Sequence, residues 1–327
     1  MSQLTTNTTA FIEAQQYSKI ILDNLHDYLL PTGMYRDVSD FGSGTTLNIK
    51  TVGTVTLQDA AEDTPLVFNP IDTGTITLSI TDYIGDAWRV SDDLREDGSQ
   101  VETLMAMRAL ESTRALGEHF EGDFLAAANS AQTNAAVNLV NGRPHRWIGG
   151  GNGVTTRVMS LSDFIAMKLA FDKANVPAGG RIAIVDPIVE ATINSLTNLV
   201  NVSNNPQFQG IITDGFARDH KFVRNIFGFD VYTSNFVPVK TATEAINASA
   251  YGLATTTAAV GDVANIFMSV TDDNTKPIMH AWRRQPQTEG WRDHDNRGDK
   301  FQVTSRYGFG AQRVDTLGVI LTSGSTY

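Results

Sequence analysis

The sequence predicts an α+β protein built from long strands, one very long helix and a separate stretch where helices and strands alternate. Three observations carry this. Residues 45–82 place Thr, Val, Ile and Leu with a period of two, the pattern of β-strands. Residues 99–129 keep apolar side chains at helical spacing. Residues 160–270 switch repeatedly between the two periods, as in an α/β layer.

Taken in order, residues 10–30 read as an amphipathic helix with Phe11, Ile12, Ile20, Ile21, Leu25, Leu29 and Leu30 on its apolar side. Pro31 and Gly33 stop it. A Gly-rich joint at 41–44 leads to the first strands. Leu47 and Ile49 alternate with polar neighbours, as do Ile76, Leu78 and Ile80. Between these runs lies an acidic, turn-rich tip with Asp59, Glu62 and Asp63. The simplest object is a long two-stranded arm. Such a hairpin is marginal alone, and it reads as polar on both faces, so it is expected to lie on something else.

The helix of 99–129 opens with Ser99 and Glu102, the spacing of a capping box. Its apolar set includes Leu104, Met105, Leu116, Phe120, Phe124 and Ala128. At ~1.5 Å per residue it spans ~45 Å, well beyond the average helix of ~11–12 residues. Residues 130–158 read as loop and turn. Then come a helix at 160–174, a strand at 181–185 ended by Asp186 and Pro187, a helix at 188–199, a polar loop at 200–220, a strand at 229–233, a small-residue polar stretch at 241–262 and a strand at 266–270. Closing strands are expected at 278–282, 300–308 and 319–322, with a charged turn at 291–300.

Composition narrows the function. The chain has 327 residues, 25 Lys plus Arg against 36 Asp plus Glu, a net charge of −11 and no cysteine. That excludes disulfides, thiolate metal sites and a cysteine nucleophile. It also argues against wrapping nucleic acid, which needs clustered Lys and Arg. Only 19% of residues are charged, against about a quarter in ordinary domains. Partner subunits covering the surface would account for the shortfall. The N-terminal residues have no basic region and no apolar run, so no secretory signal is read and no membrane segment is expected.

No catalytic constellation emerges. The six histidines, at 26, 119, 145, 220, 280 and 294, form no H-x-x-x-H pair. His280 reads as a core residue. Asp293, His294 and Asp295 sit between Arg292 and Arg297 and read as a salt-bridged turn. The Gly-rich run at 149–153 lacks the Lys-Ser/Thr of a phosphate loop. Ser234 and Ser305 have no nucleophile elbow. No cofactor, metal or enzyme activity is expected. An α/β hydrolase using residues 160–270 is the alternative from another class, and it lacks all three signatures.

The order of parts resembles an HK97-fold major capsid protein of tailed bacteriophages. Two local patterns sharpen this: Ala174-Asn-Val-Pro177 leading to Arg181-Ile-Ala-Ile-Val-Asp-Pro187, and Ile226-Phe-Gly-Phe-Asp-Val-Tyr-Thr-Ser-Asn-Phe-Val-Pro238. Length and compact N-terminus are similar to those of short-tailed, T7-like phages, and the resemblance covers residues 10–322. It implies an HK97-like fold: an N-terminal arm (1–44), an extended β-hairpin loop (45–82), a peripheral domain (83–159) with its spine helix at 99–129, an inserted axial domain (160–270), and closing strands of the peripheral domain (271–327).

The resemblance also implies self-assembly through hexamers and pentamers into an icosahedral shell around phage double-stranded DNA, held without sequence-specific binding. The implied location is the virion capsid, assembled in the host bacterial cytoplasm. The implied partners are copies of itself, a portal and a cement or decoration protein. With the hairpin starting near residue 45, no long N-terminal scaffolding segment is read, so a separate scaffolding protein is expected. Some relatives cross-link through a loop lysine; Lys50 is the sole lysine of this loop and lies near its base, where a solvated strand residue is the simpler reading. The same fold builds encapsulin compartments, the nearest alternative. Finally, charge placement suggests that the acidic tip (Asp59, Glu62, Asp63) meets basic residues of a neighbouring copy, with Arg283, Arg284, Arg292 and Arg297 as candidates.

Overall fold

The computed structural model describes residues 33–40, 44–53, 55, 57–60, 62, 68–97, 101–132, 139–150, 157–196, 225–246 and 256–326. The helix expected at 10–30 and the capping Ser99 lie outside them. The described part opens with β1 (Arg36–Asp37), β2 (Thr46–Val52), β3 (Thr73–Ser79) and β4 (Asp82–Ser91). A short helix α1 (Asp92–Asp97) and the long α2 (Val101–Ala131) follow. Then come β5 (Leu139–Val140), β6 (Arg143–Pro144), β7 (Arg146–Ile148), α3 (Leu161–Lys173), β8 (Arg181–Val185), α4 (Pro187–Ser195), β9 (Asn225–Ile226) and β10 (Phe229–Thr233). The last elements are β11 (Glu244–Ile246), β12 (Thr256–Ala258), β13 (Asp262–Ser269), β14 (Ile278–Asp293), β15 (Gly298–Ala311) and β16 (Leu317–Ser323).

The first sheet has the order β1-β14-β15-β4. β14 runs for 16 residues, ~50 Å at ~3.4 Å per residue. Its ladder with β15 shifts register between Trp282 and Gln287, where Pro286 has no N–H to give. The 31 residues of α2 span ~45 Å, and its middle turns pack on this sheet. Ala109 and Leu116 pack with Val303, Ile84 and Trp88. Phe120 sits in an aromatic group with Tyr35, His280, Trp282, Tyr307 and Phe309, at centroid distances of 4.9–5.9 Å.

The second sheet has the order β7-β16-β13-β8-β10-β9. Every residue of β8, β13 and β16 is buried, because both faces are covered. Ala183, Val185, Phe267 and Ile320 face Phe164, Met167 and Phe171 of α3. Ile182, Ile184, Ile266, Met268 and Leu317 face the other way, toward Phe124, Leu125 and Ala128 of α2. This period of two divides one strand set between two cores. The sheet draws on three of the expected segments: β16 pairs with β13 and β7, not with the four-stranded sheet that holds the other closing strands. At the edge of α3, the Asp163 carboxylate accepts from the Ser160 N–H (2.9 Å) and from the Trp147 indole (3.2 Å). Asp186 caps α4, accepting from the Ile188 N–H, with Pro187 in its first turn.

β2 and β3 pair antiparallel from Thr46↔Ser79 to Val52↔Thr73, the hairpin expected from the alternation. One expectation needs correction: the hairpin is not polar on both faces. Leu47, Ile49, Ile76, Leu78 and Ile80 share one side and pack on Met279 and Ala281. The Thr-rich composition hid an apolar stripe at every second residue.

Candidate inter-subunit surfaces

The hairpin base is fixed by an unusually close crossing. β3 runs over β15 where Tyr307-Gly308-Phe309-Gly310 places glycine at alternate positions. A Cβ on Gly308 would lie 2.5 Å from the Ser79 carbonyl oxygen, and one on Gly310 would lie 2.8 Å from Leu78 Cδ1. Only backbone fits there. Leu78 and Ile80 are buried by this contact. Away from the base the cover ends. Val52 is 72% and Phe68 98% exposed, and Val55, Leu57 and Ile71 are also exposed. Among the described residues the arm therefore has an anchored root and exposed apolar side chains farther out.

A second surface lies at the far end of the long strands, where the β14–β15 turn meets α1. Arg292 donates to both carboxylate oxygens of Asp92 (2.5 and 2.6 Å) and to Asp299 (3.3 Å). Arg95 reaches the same Asp299 at 2.7 Å. The Arg292 hydrogen bonds hold the Asp92 carboxyl below the usual carboxylate range. The turn itself is braced by the Lys300–Asp293 pair at 2.5 Å. The Asn296 amide also donates to Asp293 at 2.8 Å. Asp293 is thus a turn brace, held through Lys300 rather than through the flanking Arg292, which pairs with Asp92 and Asp299. Among the described residues no group of three His, Asp or Glu is placed to hold a metal ion.

Buried polar links also tie α2 to neighbouring strands. Arg146, fully buried, donates to Glu244 of β11 at 2.8 and 3.0 Å and to Asn129 of α2 at 2.8 Å. Burial would raise the Glu244 carboxyl, but Arg146 and Lys240 outweigh it and hold it low. Ser234 donates to Glu121 of α2, whose carboxyl is raised by burial. Ser234 is thus a strut between β10 and the helix.

The residues singled out in the sequence are placed as follows. Asp59 and Glu62 are exposed in the hairpin, and Asp63 lies outside the described residues. Arg283 is exposed on β14, and Arg297 is exposed in the turn with φ 46°. Arg284 pairs with Glu289 within its own strand, and Arg292 belongs to the Asp92 network. Arg284 and Arg292 thus have partners other than Asp59 and Glu62. Lys50 is exposed on β2 opposite Thr75. The Gly308–Gly310 crossing escaped sequence reasoning, although glycines at alternate strand positions are a legible sign of a close backbone approach.

The comparisons with known proteins agree with this architecture. Residues 73–322 match the family described as phage capsid protein. The chain belongs to the phage capsid protein family. Solved shells share its fold. The capsid of cyanophage P-SCSP1u has a TM-score of 0.64 at 14% identity, covering 91% of this chain and 89% of that chain. The mature capsid of bacteriophage PhiM1 gives 0.64 at 14%, covering 91% and 88%. The virus-like particle from Pyrococcus furiosus gives 0.52 at 10%, covering 94% and 99%. No curated protein matches the chain in sequence. It is a phage major capsid protein with an HK97-like fold and a structural role. No described helix is long and apolar enough to cross a membrane.

Proposed function

We propose that this capsid protein assembles through hexamers and pentamers into an icosahedral shell that encloses double-stranded DNA in the virion. One observation carries the reading: among the described residues the hairpin has a fixed root and exposed apolar side chains farther out, a geometry that makes sense when these rest on a neighbour. Val55, Leu57 and Phe68 are too exposed to serve the subunit that bears them. In this reading residues 160–270 form the body of the axial domain, with β7 and β16 added to its sheet, and the rest of residues 83–159 and 271–327 form the peripheral one. The net charge of −11 suits a container that must not grip phosphate. A separate scaffolding protein, a portal and a decoration protein complete the assembly in the host cytoplasm.

Self-assembly also gives the acidic tip a role. Asp59, Glu62 and Asp63 meet Arg283, Arg284, Arg292 and Arg297 on an adjacent copy, in exchange for part of the pairing that Arg284 and Arg292 have within their own subunit. Exposed pairs contribute only ~0–1 kcal/mol each, so the contact selects register more than it supplies strength. Reversing the three acids to Lys should reduce shell yield while leaving the thermal midpoint of the free subunit unchanged. Normal shells from the variant would remove the tip from the interface. Particles filled with cargo protein and free of DNA would replace the virion reading with a compartment one.

A further inference from the structure

The β9–β10 turn is built against its own residue preferences. Ile226 pairs with Phe229 across a two-residue turn, and its central residues Phe227 and Gly228 have φ values of +49° and +89°. Both lie in the left-handed region, where such turns favour Asn-Gly or Asp-Gly. A bulky side chain there is a genuine outlier. Ile226 and Phe229 are fully buried, so their apolar character serves the core. Phe227 is 41% exposed, so a large part of its ring is left to water despite the strained backbone that presents it.

The surrounding structure holds the turn firmly in this state. The Asn225 side-chain oxygen accepts from the Gly228 N–H at 3.1 Å. The same side chain donates to Asp230 at 2.7 Å. Strained residues persist where their neighbours over-determine them, and they cluster at functional positions. Among the described strands β9 is the outermost of the six-stranded sheet, so the ring stands at its margin. An aromatic ring with two side-chain torsions on a braced turn loses little freedom on binding.

We propose that Phe227 is an assembly anchor whose ring packs into an apolar surface of an adjacent copy of this chain. A second copy is the occupant because a capsid protein builds its shell from copies of itself, and the ring is exposed on the subunit that bears it. The inference rests on the shell reading above. It explains why a residue that costs the free subunit stability stands where Asn would fit better.

The test compares full-length wild type, Phe227→Asn and Phe227→Tyr in one preparation. The thermal midpoint of the unassembled protein and the concentration at which particles form are both measured. Phe227→Asn should melt at or above the wild-type temperature, yet need at least about tenfold more protein to form particles, the scale of losing an aromatic hot spot. Phe227→Tyr, which keeps the ring, should assemble near the wild-type concentration. Particles from Phe227→Asn at the wild-type concentration would overturn the proposal, as would a lowered melting temperature, which would mean that the ring packs within its own subunit. Wild type that forms no shell under any condition would overturn the shell reading, and the anchor with it.

Discussion

Gly308 lies directly beneath the Ser79 carbonyl, so close that a Cβ would stand 2.5 Å from its oxygen. This contact joins the hairpin to the long strands of the four-stranded sheet. Gly308→Val would drive β3 away from β15 and uncover Leu78 and Ile80. Overpacking of this kind costs about 1–3 kcal/mol. A lower urea midpoint and faster protease cleavage within residues 45–82 are expected. An unchanged midpoint and cleavage pattern would show that the hairpin root is not fixed here.

His280 gives the core an acid sensitivity. Both ring nitrogens are buried without a hydrogen-bond partner, among the rings of Tyr35, Phe120, Trp282 and Phe309 at 4.8–5.0 Å. Burial pushes its pKa from 6.5 down to about 4, against the opposing pull of Asp37. The unfolded chain therefore takes up a proton below about pH 6.5 that the native state refuses until about pH 4. The contribution of this group is complete above pH 6.5 and is lost as pH falls through that window, at about 1.4 kcal/mol per pH unit. His280→Phe should flatten the urea midpoint between pH 7 and pH 5. Equal pH dependence in variant and wild type would refute the assignment.

Much of this architecture was legible because the periodicities are strong. The helix read at 99–129 is found at Val101–Ala131, and the alternation of Leu47, Ile49, Ile76 and Leu78 gave the hairpin. Buried polar residues hid the rest. β7 read as loop because Arg146, buried against Glu244, breaks its apolar run. β13 read as starting at residue 266 because Asn265 interrupts the pattern. Its side chain is in fact buried, donating to the Ile320 carbonyl at 3.0 Å and to the Thr322 hydroxyl at 2.8 Å. The tip network joins Asp92 to Arg292, 200 positions apart, and no local pattern signals a pairing of that range.

Arg146 links three elements, and its loss of a partner should be costly. Glu244→Gln leaves a fully buried guanidinium without its carboxylate. Removing one partner of a buried pair costs about 3–5 kcal/mol, and a figure near the lower bound is expected because Glu244 is partly exposed and Asn129 remains as an acceptor. Chemical denaturation measures it. A loss below about 1 kcal/mol would place the pair among ordinary surface bridges.

Arg292 should behave differently, since its network is exposed. Arg292→Ala is expected to leave the thermal midpoint nearly unchanged while amide exchange rises across α1, which the arginine ties to the turn. The charge swap Asp92→Arg with Arg292→Asp should restore much of the protection. Protection that stays at wild-type levels in Arg292→Ala would show that α1 is held without Arg292, by the Arg95–Asp299 pair and its backbone.

The most direct test is electron cryo-microscopy of particles formed by the purified protein. Closed shells are expected, with residues 45–82 of each subunit lying across an adjacent copy and the exposed Val55, Leu57 and Phe68 covered there. A protein that stays monomeric under every assembly condition, or shells in which the hairpin folds back onto its own subunit, would contradict the account.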